Sequence, residues 1–214
     1  KARPSALELM FATHPMSRER RDMAAEAART RWSAGAGLPL GRERYMDETA
    51  PVRAMAPAIR AIQEGDEARR AKRLREAEAA YQRALAAAPD DYEALLKIAA
   101  VLIEQNRHRE ARSFAERARA ADPEEPQALA VLGVVSLQLG QPERAHQCFA
   151  EYDRRLPGDP GIAFSDGLAL ERMNRREEAA RRYVQFLQAG GGGAEGQYAH
   201  GRLVEWGVIW PDGR

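Results

Sequence analysis

The sequence predicts an all-α solenoid, a stack of helix-turn-helix units closed by a terminal helix. The first sign is a ruler of prolines: Pro89, Pro123 and Pro157 stand 34 residues apart. The second is a recurring pattern of small and aromatic residues ahead of each. Ala77, Tyr81 and Ala84 precede Pro89; Ala111, Ala115 and Ala118 precede Pro123; Ala145, Phe149 and Tyr152 precede Pro157. The third is a leading-helix pattern, Leu129, Leu132, Gly133 and Gly140, echoed by Gly167 and Leu170 and followed by Ala179, Tyr183 and Phe186. A fixed period of this length marks a repeat array in which each unit covers its neighbour's apolar face.

Taken in chain order, the first element is a strongly charged helix that follows the corner His14-Pro15. The glycines and prolines between Gly35 and Gly41 then read as a connector. Its flanking Trp32, Leu38, Leu40 and Tyr45 are apolar enough to be expected against the solenoid. Four units follow, at 58–91, 92–125, 126–159 and 160–193. Small residues at Gly133, Ala145, Gly167 and Ala179 allow two helices to approach closely, and Tyr81, Phe149 and Tyr183 are expected to fill the gap to the next unit. Each proline falls just past a helix end, where a missing amide costs least. In the fourth unit the proline gives way to Gly190–Gly193, read as a flexible break. Beyond it, Tyr198, Leu203, Trp206 and Trp210 predict a helix that caps the last unit, because the end of a solenoid must cover its core. The resulting segments are 1–50, 51–193 and 194–214.

This pattern resembles the tetratricopeptide repeat (TPR), a helix-turn-helix unit of the same period. The first unit departs most: it keeps Gly65 but carries Glu64 where a leucine is usual. In the TPR register the leading helix of each unit lines a concave face. The resemblance therefore implies a partner-binding groove of Leu96, Ala100, Ile103, Ala130, Val134, Leu137, Phe164 and Leu168. Chaperone-binding TPRs clamp a C-terminal carboxylate with Lys, Arg and Asn, and none stands at the matching places here. An apolar groove suits a helical or unfolded hydrophobic protein segment, or another part of the same polypeptide.

Composition narrows the alternatives. The 33 basic residues nearly balance 32 acidic ones, for a net charge of +1, which gives no global field toward nucleic acid or a membrane surface. The arginines between Arg69 and Arg75 are flanked by Glu64, Asp66, Glu67, Glu76 and Glu78 and read as a solvated, salt-bridged face. No apolar run approaches the roughly 18 residues of a membrane helix. The single cysteine, Cys148, excludes an internal disulfide and reads as a core thiol beside Phe149. His14, His108, His146 and His200 share no ligand spacing, and no HExxH, paired-cysteine or glycine-rich phosphate motif is present. The chain by itself is expected to be non-catalytic and to hold no cofactor.

The opening stretch LELMFATHPMSRERRDMAAEA does not fit the repeat. It resembles the close of the catalytic domain in the HtpX and CAAX-prenyl-protease class of zinc metallopeptidases, on Thr13, His14, Pro15, Ser17, Glu19 and Arg20. Arg21 departs from the apolar residue usual at its place. A branch of that class, the BepA-like periplasmic proteases, carries C-terminal TPRs. The resemblance implies that this chain, which opens without an initiator methionine, is the C-terminal part of a longer enzyme. The HExxH zinc site would lie upstream, the location would be the bacterial periplasm, although a lone cysteine fits periplasm and cytoplasm alike, and His14 would be a zinc-facing residue in the full-length protein. Within the chain alone His14 reads as a helix cap with Pro15 at the first helical position. The rival is a stand-alone TPR scaffold or assembly factor for a bacterial envelope complex.

Overall fold

A computed structural model describes residues 17–31, 33 and 41–209, which are helical apart from turns and short connections. The chain divides into two units, Lys1–Pro51 and Val52–Arg214. His14, Trp32, Leu38, Leu40 and Trp210 lie outside the described residues.

In the first unit, α1 spans Ser17–Thr30 and α2 spans Arg42–Glu48. Both are short on apolar surface. Along α1 the described side chains from Arg20 onward are exposed, apart from the half-buried Ala27. Gly41, at φ 58°, turns the chain into α2. Tyr45 is 64% exposed within this unit, and the other residues from Glu43 to Glu48 are exposed as well. Helix α3, Ala50–Ala54, runs across the division.

The second unit is the solenoid. Its helices are α4 (Ala56–Arg70), α5 (Leu74–Ala87), α6 (Tyr92–Glu104), α7 (His108–Ala121), α8 (Gln127–Gln138), α9 (Pro142–Arg155), α10 (Pro160–Arg172), α11 (Arg176–Gln188) and α12 (Gly193–Glu205). Helices pair as α4/α5, α6/α7, α8/α9 and α10/α11, and each trailing helix also packs on the next leading one. The turn inside every pair is the same. Lys72, Asn106, Gly140 and Asn174 occupy one register position and all take left-handed backbone, with φ of 59°, 61°, 70° and 58°. The amide after each reaches back across the turn: Arg73 to Ala68, Arg107 to Leu102, Gln141 to Ser136 and Arg175 to Leu170, at 2.8–2.9 Å. This helix stop satisfies carbonyls the helix leaves free, and asparagine and glycine tolerate it better than lysine.

The junctions between pairs are set by proline and aspartate. Helices α5, α7 and α9 end two residues before Pro89, Pro123 and Pro157. The intervening Ala88, Asp122 and Leu156 are extended, with φ near −140° (−143°, −139° and −136°), because a following proline ring disfavours helical backbone. Asp91 and Asp159 then open the next helices by accepting from the amides of Ala94 and Gly161, each at 2.8 Å. The glycine run forms a close-packed turn instead of a slack break. Gly190 takes φ 86°, and Gly191 lies so near Phe186 that a Cβ there would fall 2.2 Å from the ring.

Within pairs, a glycine on the leading helix faces an aromatic ring on the trailing one. A Cβ added at Gly65 or Gly133 would stand 2.3 Å from Tyr81 or Phe149, and one at Gly167 would stand 2.5 Å from Tyr183. The rings therefore lie across the leading helix of their own pair, as well as toward the following one. The α6/α7 pair solves the same packing with Ala99 and Ala115, both fully buried, and half-buried Phe114 supplies bulk one residue earlier.

At the far end α12 caps the stack. Its Ala199 and Leu203 are fully buried. Trp206 stacks on Tyr183 at 6.0 Å, Tyr198 meets Tyr183 edge-on at 6.1 Å, and Arg202 lies over the Trp206 ring. The hydroxyls of Tyr183 and Tyr198 both donate to Glu171 Oε2, at 2.7 and 3.1 Å.

The glycine–ring contact yields a test. Gly133→Ala should lower the unfolding free energy by about 1–3 kcal/mol through overpacking, although alanine gains about 1 kcal/mol in helix propensity. In a Phe149→Ala background the same substitution should be neutral or stabilising. Urea denaturation of the four proteins in a double-mutant cycle measures the coupling; additive effects would remove the contact as the determinant.

Candidate binding groove

The leading helices α6, α8 and α10 stand in register and touch their neighbours. Leu96, Ala130 and Phe164 share one repeat position, Ala100, Val134 and Leu168 a second, and Ile103 and Leu137 a third. Leu96, Ala100, Ile103, Ala130, Val134 and Leu168 are half-buried: each backs onto the core and keeps one side open. Leu137 and Phe164 differ, with 6% and 8% exposure. Phe164 is drawn inward by the aromatic cluster at the cap, with Phe186 at 5.1 Å, Tyr183 at 5.9 Å and Tyr198 at 6.1 Å. Above Leu137, the Arg172 guanidinium donates to its carbonyl oxygen at 2.6 Å. Those two side chains lie in the floor, and the other six form the open row.

The middle of the row is uncharged. Helix α8, QALAVLGVVSLQ, contains no ionisable residue. It is apolar on most sides because Ala128, Leu129, Leu132 and Val135 are buried. Ala130, Val131 and Val134 are the apolar residues left half-open.

The register continues onto α4 as Ile62, Asp66 and Arg69, and here the row becomes charged. Both carboxylate oxygens of Asp66 lie within 3.0 Å of Lys97 Nζ, and the Tyr81 hydroxyl donates to the same carboxylate at 2.6 Å. Lys97 also pairs with Glu93 at 3.2 Å, one helical turn back. Arg69 Nε lies 2.6 Å from Glu104. Burial pushes the Asp66 carboxyl up, but the Tyr81 hydroxyl and the Lys97 ammonium outweigh it and hold the group below its ordinary value. Lys97 is raised: burial lowers it, and its bonds to Asp66 and Glu93 more than compensate. Sequence reasoning missed this cluster. Glu93 and Lys97 are legible as an i,i+4 pair, but Asp66 reaches them only through the stacking of two repeats.

A second polar feature lies among α9, α10 and α11. Asp166 takes the register position of Ile98 and Leu132, yet it is an acid with 3% exposure. His146 Nδ1 meets it at 2.6 Å and Arg182 Nε at 2.8 Å, while Arg182 also reaches Asp153 at 3.0 Å. A buried carboxylate survives only when matched in this way. The network joins the third and fourth repeats, which makes His146 a structural residue with a partner that the sequence did not reveal.

The remaining candidates are bland. Cys148 is buried, and burial pushes its thiol up, away from the thiolate that a nucleophile needs. Around the arginine cluster, Arg69–Glu104, Arg73–Glu76 and Arg83–Glu64 are all ion pairs. Among the described residues no three His, Cys, Asp or Glu side chains group in a way that fits a metal, and no helix is long and apolar enough to cross a membrane.

Comparison with known proteins agrees with this architecture. Residues 68–132 and 102–163 match the tetratricopeptide repeat family. A thermophilic TPR protein of Thermus thermophilus superimposes with a TM-score of 0.63 at 19% identity, over 70% of this chain and 83% of that one. MamA gives 0.61 at 18% identity, covering 70% and 81%. YrrB, described as a TPR protein with an unusual peptide-binding site, gives 0.58 at 21% identity, covering 78% and 83%. At such identities the likeness is one of fold. No curated protein matches the chain. The second unit is a TPR-like solenoid.

The charged end of the row makes stability depend on pH. Asp66 is held ionised in the folded state, so the unfolded chain takes up its proton first as pH falls. The contribution is fully present above the ordinary carboxylate value of about 4 and is lost below it. Unfolding free energy, measured by urea titration between about pH 7 and pH 3, should fall at the acid end, with a shallower fall in Asp66→Asn. An unchanged acid slope in that variant would contradict the assignment.

Proposed function

We propose that the solenoid is a protein-interaction module whose concave face takes an apolar segment, helical or extended, of a partner protein. One observation carries this reading. Leu96, Ala100, Ile103, Ala130, Val134 and Leu168 stand in register on successive leading helices, half-buried, with apolar surface open along the row. The peptide-binding site ascribed to YrrB, which shares the fold, is in keeping with it.

The test uses a labelled synthetic peptide with leucine and alanine on one helical face and glutamine on the other. It should bind the chain, and Val134→Arg should weaken binding at least about tenfold, or about 1.4 kcal/mol, with little change in Tm. Equal binding by the two proteins would remove the groove from the mechanism.

The wider reading makes this module the non-catalytic C-terminal part of a bacterial periplasmic zinc metallopeptidase. There it would recruit or position substrate or partner proteins, or hold the parent's own catalytic domain. Its support is the Thr13-His14-Pro15 stretch ahead of the repeats, which lies outside the described residues. Zinc would belong to the parent, with His14 facing it. An HExxH helix should then be encoded upstream of Lys1, within roughly 250 residues, about one domain. Its absence from the parent gene would leave the stand-alone scaffold.

A further inference from the structure

We propose that Asp66 and Glu93 are specificity-determining residues that make the groove reject carboxylates, so that the occupant's contacting face is apolar and free of acids. The proposal rests on the groove reading and names the chemistry of the partner that groove takes.

The argument starts from register. Asp66 occupies on α4 the place that Ala100, Val134 and Leu168 occupy on the next three leading helices, so its carboxylate stands in line with the apolar row. Lys97, beside Leu96 on α6, is a cation bonded directly to that carboxylate. Left alone, it would be a ready anchor for a carboxylate. It is not left alone: both Asp66 oxygens lie within 3.0 Å of its ammonium and Glu93 lies at 3.2 Å. The fully buried Tyr81 fixes Asp66 in place by donating its hydroxyl at 2.6 Å. Other charges bordering the row are engaged as well. Arg69 and Lys72 both face Glu104, at 2.6 and 3.7 Å, and Arg172 donates to the Leu137 carbonyl. Helix α8, at the centre, carries no charge.

An incoming carboxylate would meet two resident carboxylates around the Lys97 ammonium and would have to displace one. A charged side chain laid over α8 would lose water with nothing to replace it. An uncharged apolar face meets none of these penalties.

The experiment compares two probes on the intact chain. One is the leucine-faced peptide described above, and the other has glutamate at one central position of the apolar face. Wild type should bind the leucine peptide with less than about a twofold change between roughly 0.05 and 0.5 M salt, and the glutamate peptide at least about tenfold more weakly. Asp66→Asn combined with Glu93→Gln frees Lys97 and should strengthen glutamate-peptide binding about tenfold at low salt, while leucine-peptide binding stays within about twofold. Glu93→Gln alone, at an exposed edge, should shift the glutamate peptide in the same direction by a few-fold. It keeps the test open should the double variant lose its fold by circular dichroism. Equal affinity of wild type for both peptides, or no gain in either variant, overturns the proposal while the groove stands. Leucine-peptide binding that Val134→Arg leaves intact overturns the groove reading itself, and the proposal with it.

Discussion

Two helices can lie close together only where the residues at their crossing are small. In three of the four pairs that requirement is met at Gly65, Gly133 and Gly167, each covered by a ring from its own trailing helix, and in the α6/α7 pair by Ala99 and Ala115. The rest of the array depends on it. Where there is a ring, it fills the space the glycine vacates and presents its other edge to the following pair, so α5, α9 and α11 each have a packed face on both sides. The outer residues of successive leading helices recur in one register.

Much of that architecture was legible in the sequence because it recurs. A proline every 34 residues fixes where a trailing helix must stop, and the glycine–aromatic spacing within a unit fixes which faces meet. What stayed hidden is what happens once, or between units. Asp166 sits where the register calls for an aliphatic residue, and its partners His146 and Arg182 come from other helices. Phe164 holds a groove position by register, but the aromatic cluster built with Tyr198 of the cap draws it into the core. The Lys97–Asp66 pair crosses 31 residues of sequence, which only stacking brings together.

The distribution of charge follows a common logic at both ends of the stack. Asp66, Tyr81 and Lys97 near the first pair, and Glu171, Tyr183 and Tyr198 near the last, each place an acid under a tyrosine hydroxyl from a trailing helix. In each case the aromatic ring that packs on glycine delivers its polar tip to a carboxylate at the edge of the leading helix. Phe149, at the centre, has no hydroxyl, and the helix it packs on has no ionisable residue. Ring chemistry and local polarity thus change together along the row.

The different solution adopted by the second pair has a consequence for how such an array can be assembled or altered over time. Ala99 and Ala115 fit each other, as Gly133 and Phe149 do, but neither leading helix fits the other's trailing partner. Combining α8 with α7 would leave a void, and combining α6 with α9 would drive a methyl group into a ring. Recombination joined at the left-handed turn inside a pair would therefore produce mismatched halves. A crossover at the extended residue before a proline would carry a matched pair across intact. The unit that packs as a matched whole in this chain is the closed hairpin, and the extended residue before each proline is where one hairpin ends.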